Sequence, residues 1–241
     1  MKRILATLIA IGVISMSVSA RTLIVYYSYT NNVHSIVTEL SKQIDADLLR
    51  IQPAVKGLDY AANNYAIGSA QISAIRNNPN SASSYPAIDP VNVNLDEYDC
   101  IIIGAPLWWS NMAAPLQTFL FQKGKDMAGK HIGLIVSSAS SGISSVESDA
   151  KRLVPGGKFF SSSLWIRSSQ TSNSANLIKE WLKSIDYSSL SGLSDIPYDD
   201  SQDIFTVYSI SGNLIGQNMA SIDALAQGVY IVNGKKIYKN Y

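Results

Sequence analysis

An apolar run, Leu23-Ile24-Val25-Tyr26-Tyr27, leads without a break into Ser28-Tyr29-Thr30-Asn31-Asn32, and an amphipathic stripe follows at once. Val33, Ile36, Val37 and Leu40 stand at i, i+3, i+4 and i+7, one face of a helix. A buried strand that turns directly into such a helix suits the repeating unit of a parallel sheet, whose neighbouring strands need a helical crossover. The first turn of that helix carries backbone N–H groups without internal partners and a partial positive charge. With the hydroxyls of Ser28 and Thr30 they form a cradle for a phosphate, and no lysine or arginine is required. Ser, Thr and Asn also cap helices that bind nothing, so this turn alone leaves both readings open.

A second unit narrows the choice. Tyr98-Asp99-Cys100-Ile101-Ile102-Ile103-Gly104-Ala105-Pro106-Leu107-Trp108-Trp109-Ser110 reads as a buried strand, Cys100 to Gly104, ending in a small-residue turn. Adjacent residues of a strand point to opposite faces, so Trp108 and Trp109 cannot both be core. An indole at the carboxyl end of a strand in an open sheet lies where ligands bind, and it offers a flat stacking surface. Ile132-Gly133-Leu134-Ile135-Val136 is a further strand, and Ser137-Ser138-Ala139-Ser140-Ser141-Gly142-Ile143 follows it.

On these three stretches the chain resembles the flavodoxin-like family, whose loops read approximately YxSxTGNT, GxPxWWG and TSGGSGIG. The match runs from about Arg21 to Asp186. The resemblance implies non-covalent binding of FMN and electron or hydride transfer through it, including quinone or NAD(P)H oxidoreductase chemistry. It assigns the phosphate to Ser28, Tyr29, Thr30, Asn31, Asn32 and Val33. The ring falls to Pro106, Leu107, Trp108 and Trp109, and the closing loop to Ser138, Ala139, Ser140, Ser141 and Gly142. No residue emerges as a catalytic acid or base, as expected where the flavin ring carries the chemistry.

Departures from the family pattern sustain an alternative. Asn31 and Ser110 stand where the pattern has glycine, as do Ala139, Ser140 and Ser144, and Val33 replaces a threonine. Asn is the side chain that best tolerates the positive φ a glycine would supply. Each added side chain narrows the approach of backbone to ligand. A flavodoxin fold that has lost its flavin and serves as a non-enzymatic binding module at the cell envelope therefore stays open.

The rest of the chain alternates strand and helix. Strands are expected at Thr22–Tyr27, Asp47–Ile51, Cys100–Gly104, Ile132–Ser137 and Leu164–Ile166. Helices are expected at about 31–44, 114–122 and 144–154, with a last one carrying Leu177, Trp181, Leu182 and Ile185. The fold class is α/β, a doubly wound five-stranded parallel sheet in the order 2-1-3-4-5. Gln52 to Val93 is a long excursion with a helix from about Tyr60 to Arg76. Connections this long are often lids or binding loops. Tyr60 and Tyr65 are read as packing residues, with a substrate pocket as the alternative.

Both termini stand apart from this core. Lys2-Arg3, the apolar run Ile4 to Val18 and the small residues to Ala20 read as an export leader, residues 1–20, cut after Ala20. The resemblance implies a flavodoxin-like domain over residues 21–186, and 187–202 reads as a Ser- and Asp-rich linker. Residues 203–241 form a small β-module, whose Asn233-Gly234 marks a hairpin. That module resembles the C-terminal sorting domains of type IX secretion. An exported protein of the periplasm or cell surface is expected, with the secretion machinery as a possible contact and no membrane span after leader removal.

Charge and side-chain inventory exclude other classes. Without Lys2 and Arg3 the 19 basic residues become 17 against 18 acidic ones, a net charge of −1. This gives no electrostatic basis for nucleic-acid binding. The redox partner, a small molecule or a protein, stays unnamed. Cys100 is the single cysteine, a small buried residue in a central strand, and two histidines offer no zinc-ligand spacing. No G-x-S-x-G carries a hydrolase serine, and Asp195, Asp199 and Asp200 lack the spacing of a calcium loop.

Overall fold

The computed structural model describes residues 20–191, 204–233 and 235–239. The leader before Ala20, residues 192–203 of the expected linker and Gly234 of the hairpin lie outside the described residues. In chain order the main body contains β1 (Thr22–Tyr26), α1 (Asn32–Leu40), β2 (Ala46–Arg50), α2 (Ala62–Asn77) and β3 (Cys100–Trp108). Then come β4 (Asn111–Met112), α3 (Ala114–Lys123), β5 (His131–Ser138) and α4 (Ser144–Leu153). The last are β6 (Lys158–Phe159), β7 (Leu164–Arg167), α5 (Ser174–Ser184) and α6 (Tyr187–Ser191).

The sheet is parallel in the order β2-β1-β3-β5, and its far edge is split between two short strands. β6 lies beside His131 and Ile132 at the start of β5, while β7 pairs with Ile135 to Ser138 at its end. The expected order is therefore the one found, with its switch point between β1 and β3. Alternate residues of each strand face opposite layers. Leu23, Val25, Ile101 and Ile103 pack with residues of α2, α3 and α4, such as Ile72, Phe119 and Val146. Ile24, Tyr26, Cys100 and Ile102 pack with α1, α5 and α6 through Ile36, Ile178 and Tyr187. Two apolar layers explain why the central strands are apolar throughout instead of alternating.

Helix α1 buries all four residues of the stripe, Val33, Ile36, Val37 and Leu40. Each such side chain contributes roughly 1.5–3 kcal/mol of gross burial free energy. Gly104 lets the helix come this close. A β-carbon there would stand 2.9 Å from Tyr26 Cβ and 2.9 Å from Val37 Cγ1. Arg21 ties the starts of three strands together: its backbone N–H donates to Asp99, and its guanidinium pairs with Asp47 and Glu97.

Three expectations need adjusting. β3 does not stop at Gly104 but continues to Trp108, then folds back antiparallel as β4, pairing Trp108 with Asn111. The small residues Gly104, Ala105 and Pro106 are thus part of the strand, and the turn falls at Trp109 and Ser110. The start of the expected linker is helical, because Tyr187 is buried and its hydroxyl shares a 2.7 Å hydrogen bond with Thr22 Oγ1. Within α2, Asn63, Asn64 and Tyr65 interrupt the helix with left-handed φ of 50°, 55° and 62°.

The C-terminal residues form a separate antiparallel sheet, β11-β10-β8-β9, from β8 (Phe205–Ser209), β9 (Leu214–Met219), β10 (Gly228–Val232) and β11 (Lys235–Lys239). Val232 opposite Lys235 makes the expected two-residue hairpin, with Asn233 at φ 48°. Its core is Phe205, Val207, Ile222 and Val232.

Candidate functional site

The carboxyl ends of β1, β3, β5 and β7 converge on one rim of the sheet, and the three loops singled out in the sequence all lie there. At the end of β1, Ser28 is buried and its Oγ accepts the His34 N–H at 3.2 Å, which tightens the turn onto the helix start. Asn31 has φ 64°, the left-handed conformation, and its side chain makes no capping bond. Apart from the His34 N–H, which Ser28 holds, the helix start keeps its orphan N–H groups available. Thr30 and Asn31 are exposed. Asn32 Nδ2 donates to Ser168 Oγ at 3.3 Å, and that hydroxyl donates to the Ser138 carbonyl, so Ser168 joins the first and third loops.

Arg50, absent from the sequence-derived site, lies behind the turn. Its Nη2 donates to the Ser28 carbonyl at 3.0 Å, and its guanidinium sits 6.0 Å from the Tyr26 ring centroid. Its Nε is buried without a hydrogen-bond partner. A fixed positive charge therefore backs the cradle.

At the end of β3 the two tryptophans part, Trp108 as the last residue of the strand and Trp109 as the first of the turn. Trp108 is half-buried against Tyr27 and Tyr60, with ring centroids at 5.5 and 4.7 Å. Trp109 is 39% exposed. Trp109 and Ser110 have φ of 46° and 65°, the two positive values a type I′ hairpin turn needs. Neither is a residue that favours them.

Tyr29, Thr30, Tyr60, Tyr65, Gly68, Leu107, Trp108 and Trp109 enclose a cavity of about 240 Å³. That is slightly below the range of pockets that engulf a whole nucleotide-sized ligand. It suits a flat ring held among aromatic walls, with the polar remainder of the ligand outside along the β1 turn. A larger open depression of about 620 Å³, beside Tyr98, Asp99, Lys130 and His131, lies at the opposite, amino-terminal end of the strands. The open-sheet rule favours the smaller cavity.

Tyr60, Tyr65 and Gly68 come from the long excursion. Tyr60 is buried, and neither its hydroxyl nor the buried Gln71 carboxamide oxygen has a hydrogen-bond partner. Tyr65 meets Trp109 edge to face at 6.4 Å. Tyr29 fastens the excursion to the β1 turn: its hydroxyl donates to Asp59 Oδ1 at 3.0 Å, and Asp59 Oδ1 also accepts the Ala61 N–H. The Ala61 N–H and the Tyr29 hydroxyl hold the Asp59 carboxyl below its ordinary range. The same bond to Asp59 holds the Tyr29 hydroxyl up, and burial does so for Tyr27 and Tyr60. Burial pushes the Cys100 thiol up to about 12.

The third loop is arranged differently. Ser138 is buried, accepts the Trp165 indole N–H at 2.8 Å and donates to the Ser141 carbonyl at 2.8 Å. Ala139, Ser140, Ser141 and Gly142 are exposed and do not line the cavity. Pro106 is next to the cavity in sequence, but it too is not part of the lining. Among the described residues no cluster of His, Cys, Asp and Glu could hold a metal ion. No helix among them is long and apolar enough to cross a membrane.

Comparison with known proteins supports the fold. A candidate flavoprotein from Bacteroides uniformis is 27% identical, with a TM-score of 0.53 over 68% of this chain and 99% of its own. One from Bacteroides eggerthii is 24% identical, with a TM-score of 0.55 over 69% of this chain and 98% of its own. A Lactobacillus acidophilus flavoprotein, solved in complex with FMN, is 22% identical with a TM-score of 0.51, over 64% and 98%. No curated protein matches the chain. The family model described as Flavodoxin matches residues 21–185, the whole parallel sheet with α1 to α5, and the chain belongs to that family.

Proposed function

We propose that the protein binds FMN non-covalently at the β1–β3 rim and acts as a redox protein. The observation that carries this reading is the joining of a helix start, where Asn31 is left-handed and makes no capping bond, to an aromatic cavity walled by Trp108 and Trp109. Backbone N–H groups from Thr30 to Val33 and the Thr30 hydroxyl would hold the phosphate, with Arg50 adding positive potential behind them. Trp108, Trp109, Tyr29 and Tyr60 would hold the ring and keep water from its face. The buried Tyr60 hydroxyl, unpaired at a cost of about 1–3 kcal/mol, would gain a partner in a polar ring edge. Bound FMN would supply one- or two-electron transfer. Tyr29 and Tyr60 stay neutral at physiological pH, because both are held above their ordinary values. The protein's part is to bind, orient and shield.

The Bacteroides uniformis and Lactobacillus relatives, both named as flavoproteins, support the reading. The exposed third loop, outside the cavity, favours a second one: a flavin-free binding module of the envelope. We place either activity outside the cytoplasm, on the strength of Lys2-Arg3, the apolar run to Val18 and the small residues before Arg21.

Thermal melting of the Arg21–Tyr241 chain across an FMN titration, with riboflavin alongside, tests the reading. Binding to the folded state adds RT ln(1 + [L]/Kd), about 2.7 kcal/mol at a hundredfold excess over Kd. A rising midpoint with FMN and a smaller rise with riboflavin is expected. No shift with either at millimolar flavin would select the binding module.

A further inference from the structure

The hairpin that presents Trp109 is built from residues ill suited to it, and it is fastened from outside. Type I′ turns favour Asn-Gly, yet Trp109 and Ser110 occupy the two positive-φ positions here. A bulky side chain at positive φ persists only where its surroundings over-determine it.

Those surroundings are polar and converge on Asn111, the first residue after the turn. Asn111 Nδ2 donates to Asp149 Oδ2 at 2.9 Å, and Asn111 Oδ1 accepts from Arg76 Nε at 2.6 Å. A carboxylate on one side and a guanidinium on the other leave the amide a single satisfactory orientation. Arg76 Nη2 also donates to the Trp109 carbonyl, so α2 grips the turn itself. Asp149 Oδ2 accepts the Met112 N–H at 3.0 Å as well, which fixes β4 from beneath. Its other oxygen accepts from Arg152 Nη2 at 3.1 Å. The Arg152 guanidinium also donates to Gln117 and Tyr85, and Gln117 donates to the Met112 carbonyl.

Asp149 is 7% exposed. A buried carboxylate is expensive unless donors surround it, and apolar packing of similar volume often does as well for stability. This one draws two of its donors, Asn111 and Met112, from the strand that returns from Trp109. None of its partners lines the cavity.

We propose that Asp149, acting through Asn111 and together with Arg76, is a positioning residue that sets the pose of Trp109 at the ring site. The proposal rests on the FMN reading for its effect on affinity, but the pose is a property of the flavin-free protein. Trp108 and Trp109 lie 6.3 Å apart at an interplanar angle of 80°, close enough for their transitions to couple in circular dichroism.

The test compares wild type, Asp149→Asn and Arg76→Gln, each with and without Trp109→Ala. Arg76 is exposed, so its variant decides the matter if Asp149→Asn fails to fold. The flavin-free readout is the coupled tryptophan signal; the second is the FMN dissociation constant. Expected is loss of the coupled signal in both variants, with far-ultraviolet spectra retained. FMN affinity should fall by about tenfold or more, the scale of one charge-assisted hydrogen bond. In the Trp109→Ala background neither substitution should weaken FMN further, because the residue they position is gone. An unchanged tryptophan signal in a folded variant overturns the proposal, as does equal weakening with and without Trp109. If wild type binds no FMN, the functional reading fails, while the tryptophan signal still decides the positioning.

Discussion

Gly68 in α2 lies directly against the Trp109 indole: a β-carbon on Gly68 would stand 2.8 Å from Cζ3 and 3.0 Å from Cη2 of that ring. The excursion thus rests on the rim tryptophan, and its glycine is where backbone meets ring. Gly68→Ala should shift the ring and not the helix, since Trp109 is 39% exposed and its ring lies at the end of a side chain. Overpacking of about 1–3 kcal/mol, felt at the site, should lower FMN affinity roughly five- to 150-fold. Tryptophan emission and an FMN titration check this, with an almost unchanged urea midpoint expected.

Asn31 at φ 64° makes a graded prediction. Glycine reaches that conformation freely, so Asn31→Gly should preserve or improve FMN affinity. Asn31→Val should destabilise the turn by about 1–2 kcal/mol, because a branched side chain is strained there. The valine variant should show a lower denaturant midpoint and a higher FMN dissociation constant than the glycine variant.

Gly104 has no comparable freedom to yield. The added methyl of Gly104→Ala would press on Tyr26 Cβ and Val37 Cγ1, both 2.9 Å away and both in the core. A loss of about 1–3 kcal/mol is expected in urea unfolding. Gly104→Ala should therefore separate from Gly68→Ala, lowering stability where the other lowers affinity.

The Tyr29–Asp59 latch should respond to acid. The folded Asp59 carboxyl titrates below its ordinary value of 3.8. Its contribution is therefore full above that pH and is lost as pH falls through the lower folded value. Hydrogen exchange at the Ala61 amide should be slow and insensitive to the latch from pH 6 down to about 4. Below that range its protection should fall as the carboxyl takes its proton. Asp59→Asn should show lower protection throughout and no such step.

Melting with flavin supplies a check on the third loop. Gly142 has open space around it, and Ala139 to Gly142 are exposed. Ser140→Gly should leave stability within about 0.5 kcal/mol, as surface changes do. A gain in FMN affinity from it would show that the loop closes over the ligand and that the missing glycine had hindered it.

How much of this was legible in the chain depends on range. The strands and helices followed from apolar runs and the spacing of Val33, Ile36, Val37 and Leu40, which are local patterns that any compact fold must satisfy. The β1 turn and the tryptophans could be located because strand ends are where an open α/β sheet binds ligands. Strand β3 reads too short in the sequence, since Gly104 and Pro106 look like a turn until β4 is there to pair with Leu107 and Trp108. Tyr60 and Tyr65 read as packing residues, because nothing local distinguishes a tyrosine that lines a cavity from one that fills a core.

By itself, then, the sequence determined the alternation of elements, the parallel sheet order and the rim where a ligand could sit. Only the tertiary structure decided which residues complete that rim. Arg50 reaches the Ser28 carbonyl across 22 residues, Arg76 reaches Asn111 across 35, and Asp149 reaches the same amide across 38. Such contacts leave no periodicity behind. They arise when the hydrophobic layers bring distant segments together, and polar groups trapped there must find partners or go unpaired.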